Sequence, residues 1–112
     1  MSRKAWSDEC AEASAAKARG DVSGEWHHLE RAHILSQPVA RLHVQTHFAM
    51  LGSAWRRRDR HEVFGQLFRL IVAAPGSWTG RYPTGNTGGA DVNAFRPMPV
   101  PDDLEVLLRD EA

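Results

Sequence analysis

The chain carries a single cysteine, Cys10, so no disulfide can close within it, and a reducing compartment is the expectation. No run approaches the roughly 20 apolar residues that a membrane span needs. The opening MSRKAWSDEC has no apolar core of the kind a secretory leader requires. Charge of one sign is missing too: Lys+Arg and Asp+Glu stand at 14 each. Without a net field, a general DNA or RNA binder is not expected. These absences leave a cytoplasmic protein with no nucleic-acid and no membrane partner as the expectation. What is present, 112 residues with 42% apolar content, suits one domain around a single core.

Two local features have a plain reading and an alternative. WRRRDR (Trp55–Arg60) reads as the solvated C-terminal end of a helix, where cations suit the dipole, or as a phosphate-contacting patch. Cys10, in an Ala-rich helical pattern, reads as a small packing residue or as a reactive thiol or metal ligand.

The pattern of apolar residues and breakers predicts an all-α fold. Helices are expected over Ser7–Arg19 with Ser7 as cap, over Glu25–Ser36, over Val39–Arg57, and from a cap at Asp59 to Ala74, where Pro75-Gly76 stops the last. Val63, Phe64, Leu67, Leu70 and Ile71 mark the apolar positions of that fourth helix. Short connections predict two antiparallel hairpins. A faint repeat, with prolines at 38 and 75, gives the helices a loose resemblance to tetratricopeptide-type hairpins, and a compact bundle is the alternative. The expected division is one domain, 1–112: a helical body over 7–74, a packed Gly/Pro loop over 75–101, and a short C-terminal helix or tail over 102–112. Trp78, Tyr82 and Phe95 in the loop are expected to be buried.

The segment LERAHILSQPVARLHVQTH (Leu29–His47) holds three of the six histidines around one proline. If two helices turn back at Gln37-Pro38, His33 lies level with His43 and Glu30 level with His47. Within each helix, Glu30 and His33 are i,i+3 neighbours and His43 and His47 are i,i+4 neighbours. Three imidazoles and one carboxylate suit a divalent transition metal, Zn²⁺ above others. Glu30, His33, His43 and His47 are therefore the candidate metal ligands. A structural hydrogen-bond network and an acid–base site without metal are the other readings of the same four residues. His27, His28 and His61 read as surface or edge residues. PTGNTGGADVN (Pro83–Asn93) is the second candidate: Gly85, Asn86, Thr87 and Gly88 can form an anion contact or a tight turn that docks the loop. It is neither a Walker motif nor a dinucleotide fingerprint.

LERAHILSQP, the HxxxH helix, GQLFRL and GNTGGADV…PMPVPDDL, in that order, together resemble a small bacterial family known only as a domain of unknown function. The resemblance spans about residues 25–104 and implies no reaction, substrate or catalytic residue. It implies that the GNTGG loop and the ERAHILSQP helix form one unit. Two functions follow as expectations: a small protein binding one divalent transition metal, in metal handling or sensing, or a non-enzymatic helical-hairpin interaction module. A protein partner or a homo-oligomer is compatible with the four tryptophans. No Ser/His/Asp or Cys/His arrangement points to an enzyme, which ranks third.

Overall fold

The computed structural model describes residues 2–80, 83–90, 92, 93 and 95–109, and the side chains of all of these except residues 2 and 72–74. Among the described residues there are five α-helices and no strand: α1 Ser2–Ala18, α2 Val22–Ser36, α3 Ala40–Arg56, α4 Arg60–Thr79 and α5 Asp102–Arg109. α1 packs on α2, α2 on α3 and α3 on α4, while the short α5 rests against α1 and α2. No helix among the described residues is long and apolar enough to cross a membrane.

The helix starts follow from local chemistry. α1 begins at Ser2, so Ser7 lies inside the helix rather than capping it. Lys4 pairs with Asp8 one turn on at 2.9 Å, and Trp6 anchors the first turns by donating its indole N–H to Thr46 Oγ1 at 2.8 Å. Asp21 caps α2 by accepting from the Gly24 amide at 2.9 Å, which starts that helix three residues before Glu25. Asp59 caps α4 as expected, accepting from the Glu62 amide at 3.0 Å.

α4 departs most from expectation. It does not stop at Ala74 but runs through Pro75 to Thr79 and ends at Gly80, whose φ of 72° is a left-handed cap. Pro75 has no N–H to give to the preceding turn. The extension is held elsewhere: Thr79 Oγ1 donates to the Pro75 carbonyl at 2.8 Å, and Ser77 Oγ donates to the Gln37 carbonyl at the end of α2 at 2.6 Å. The irregular Gly/Pro segment therefore begins after Gly80, not at Pro75.

The faces of α4 are also inverted. Among the described side chains of α4, Glu62, Gln66, Arg69 and Ser77 are buried, whereas Phe64, Leu67, Phe68, Ile71 and Trp78 are exposed. The expected burial of the loop aromatics fails for Trp78 (79% exposed) and Phe95 (66% exposed). Ser77 takes the inward position, so its helical neighbour Trp78 must point outward. Tyr82 lies outside the described residues.

Apolar burial is confined mainly to the other helices. Ala13, Leu29 and Met50 form one cluster, with Trp26 against it. Ile34, Leu35 and Leu104 form a second, which ties α5 to α2. Around them, Arg31 joins Glu9 at 3.0 Å and Asp103 at 2.5 Å. Two arginines of the WRRRDR run make chain contacts: Arg56 forks onto Glu25 at 2.6 and 3.1 Å, and Arg57 lies over the Trp26 ring at 4.4 Å.

Candidate metal centre

The center of the molecule is polar. Its site is built from one residue of α2 and two of α3. His33 projects from α2 at the level between His43 and His47, which stand one turn apart on α3. The three rings meet at centroid separations of 4.6–4.9 Å. Their Nε2 atoms form a nearly equilateral triangle: 3.0 Å from His33 to His47, 3.1 Å from His43 to His33, and 3.2 Å from His47 to His43. All three side chains are buried, at 2–5% exposure.

The outer nitrogen of each ring has its own oxygen, and those oxygens determine the tautomers. His33 Nδ1 lies 2.7 Å from the carbonyl of Asn86, which can only accept. His47 Nδ1 lies 2.6 Å from Gln66 Oε1. The Gln66 amide cannot be turned round, because its nitrogen donates to Glu62 Oε1 and to the Gly88 carbonyl, both at 2.7 Å. His43 Nδ1 lies 2.7 Å from Ser77 Oγ, whose one proton already goes to the Gln37 carbonyl. Each ring is thus protonated at Nδ1, and each turns an unprotonated Nε2 toward the other two. Ligating histidines are oriented in this way, by an oxygen that accepts from the far ring nitrogen.

Burial holds His33 and His47 neutral. Burial, then the neighbouring imidazoles, push His33 well below the ordinary histidine range, against the opposing bond to Asn86. Burial brings His47 down to about 4, although its bond to Gln66 works the other way. A proton shared among the three nitrogens is therefore disfavoured at neutral pH. Three lone pairs converging at these distances are stabilised by a cation. A tetrahedral ion with metal–nitrogen bonds of about 2.0–2.1 Å holds its ligand nitrogens about 3.3 Å apart, and an octahedral face about 2.9 Å. The observed spacings lie between the two.

Glu30, expected as the fourth member, is not in this group. Its carboxyl bonds to Trp26 and Thr87 instead, and burial and the nearby Glu62 raise its pKa. The level-matching rule fails here because His33 seats between His43 and His47 and so meets both, while Glu30, one turn back, faces the loop. Cys10 is not in the group either, and burial, then Glu9, pushes its thiol up to about 11. His28 sits on Glu9 at 2.8 Å, away from the centre. His27 and His61 are exposed.

The GNTGG loop forms one wall. Gln37 grips it, donating to the Pro83 carbonyl at 2.9 Å and accepting from the Gly85 amide at 3.2 Å. Asn86 is buried and gives its side-chain N–H groups to the carbonyls of Asn93 and Arg96, both at 2.8 Å. The amides of Gly85, Asn86 and Gly88 all donate to oxygens of the chain, so they are not aimed at an anion. Gly88 has φ of 87°, and a Cβ there would stand 2.7–2.9 Å from three atoms of the His33 ring. Only glycine permits this approach.

Three orienting residues, Gln66, Ser77 and Asn86, were not foreseen in the sequence as partners of the histidines. Gln66 sits on a polar stripe with Glu62 and Arg69, which suggests a solvated face. Ser77 lies beyond a proline that signals a helix end. Asn86 was visible as a turn residue or anion contact, not as an acceptor for a histidine.

A family model described as Protein of unknown function (DUF3703) matches residues 1–108. The chain belongs to this family. No curated protein and no solved structure matches it.

Proposed function

We propose that the chain binds one divalent transition metal, Zn²⁺ foremost, through the Nε2 atoms of His33, His43 and His47, and that it serves in metal handling or sensing. The observation that carries this reading is the tautomer set. Three buried imidazoles, each bonded through Nδ1 to an acceptor, present three bare Nε2 atoms at 3.0–3.2 Å. A purely structural hydrogen-bond network would alternate donors and acceptors among these nitrogens instead. The ligand set is neutral and lacks a thiolate, which suits Zn²⁺ and also Cu²⁺ or Ni²⁺. Glu30 is left outside it.

The pairings of His43 with Ser77 and His47 with Gln66 run in opposite chain order, and on α1 the earlier Ala5 and Trp6 pack against the later Ile34–Leu35 cluster while Glu9 bonds to His28 and Arg31. They support a reading of α1–α2 and α3–α4 as two antiparallel hairpins within one domain. The test of the metal reading is elemental analysis of protein purified without a metal-affinity tag. About one equivalent of a transition metal supports it, and a clean absence together with failure to take up added Zn²⁺ overturns it. The interaction-module reading is favoured by one observation of its own, the exposed apolar side of α3 and α4.

A further inference from the structure

α4 is built inside out for a monomer, and the neighbouring side of α3 matches it. Phe48 and Trp55 on α3 are 59% and 73% exposed, and Phe64, Ile71 and Trp78 on α4 are 69%, 75% and 79% exposed, with Leu67 among them. Phe48 and Trp55 stand seven apart on α3, and Phe64, Leu67, Ile71 and Trp78 stand three, four and seven apart on α4, which puts each set in one stripe. The stripes adjoin: Phe48, Leu51, Gly52, Trp55, Val63 and Leu67, with Arg56 at the side, line one shallow groove of about 470 Å³. Gly52 forms its floor, since a Cβ there would meet nothing within 4 Å. At side-chain areas of about 150–250 Å² for the aromatic residues, the face presents roughly 800 Å² of apolar surface. A monomer's largest apolar patch is usually about 300–600 Å², and one side of a stable protein–protein interface is about 800 Å².

We infer that this face is the interface of a homodimer, in which the α3–α4 layer of one copy packs on that of another. Two points select a second copy as the occupant. The face has the area of one half of a standard interface. It holds both ridges (Trp55, Phe64, Ile71) and a groove (over Gly52), as a self-complementary two-fold contact requires. The inference does not depend on the metal reading. The polar inner face of α4 is occupied by the histidine centre's partners, which is why its apolar residues are left outside.

The test is sedimentation velocity of the full chain from low to high micromolar concentration. The wild type should sediment as a dimer, twice the 12.5 kDa chain mass. Phe64→Glu and Ile71→Glu change exposed positions, so each should give the monomer mass with unchanged far-ultraviolet circular dichroism. Glu12→Arg on α1 should remain dimeric. A wild type that stays at the monomer mass throughout overturns the proposal, as does a dimer that survives both substitutions. A monomer that partitions onto anionic lipid vesicles also overturns it, and assigns the face to lipid.

Discussion

His33 Nδ1 donates to the backbone carbonyl of Asn86, 2.7 Å away and 53 residues further along the chain. One ring of the centre is thus oriented by the irregular segment and not by a helix. That segment lies so close that Gly88 rests on the face of the same ring. Gly88→Ala should therefore act on the histidine centre. The left-handed backbone costs a residue with a Cβ about 1–2 kcal/mol, and the methyl group must displace the ring. Zn²⁺ affinity should fall by at least about tenfold, the lower end for loss of an orienting contact. Calorimetric titration and urea unfolding of the variant check the two effects separately.

Ser77 stands between two groups: it accepts from His43 and donates to the Gln37 carbonyl. Ser77→Ala removes the oxygen that His43 Nδ1 donates to and the hydroxyl that the Gln37 carbonyl accepts from, both buried, at a cost of about 1–3 kcal/mol. Metal affinity should fall by about 10–100-fold, with Ser77→Thr restoring most of it. Thr79→Ala serves as comparison, since that hydroxyl bonds only within its own helix. Competition against a chromophoric chelator measures all three.

Stability of the metal-free protein should depend on pH in a defined direction. The folded-state pKa values of His33 and His47 lie below the unfolded value near 6.5, and His47 stands at about 4. Below about 6.5 the unfolded chain takes up protons that the folded chain refuses. Stability is thus fully present above that pH and declines as pH falls through the interval to about 4 and below. Urea midpoints between pH 7 and 4.5 should fall steadily, and His47→Gln should flatten the slope. Burial holds His33 and His47 neutral below the ordinary histidine range, so Zn²⁺ affinity should persist below about pH 6.5.

Glu30→Gln separates the three-histidine set from a four-residue set. The carboxyl of Glu30 bonds to Trp26 and Thr87, so its replacement by an amide of the same shape should leave Zn²⁺ affinity nearly unchanged. A loss as large as that from His43→Ala would place Glu30 among the ligands. The titration used for Ser77→Ala reads it.

The all-helical character was legible because apolar spacing and caps such as Asp59 act locally. His33, His43 and His47 were legible for a similar reason: a turn at Pro38 folds two regular helices back, and level-matching follows from rise per residue. Glu30 was misplaced because level alone does not fix the side to which a side chain turns. Pro75 misled because the contacts that carry α4 past it, Ser77 to Gln37 above all, join residues 40 apart in the chain. The inversion of α4 was hidden for a physical reason too. An amphipathic pattern states that two faces differ, and the usual assignment of the apolar one to the interior fails when the interior is a polar centre.

The most direct measurement is isothermal titration of Zn²⁺ into the metal-free protein at neutral pH, with His47→Ala alongside. One zinc ion per chain should bind, and the His47→Ala variant should lose most of that affinity while keeping its helical circular dichroism. No binding by the wild type, or equal binding by the variant, would contradict the account and leave the three histidines as a hydrogen-bonded core.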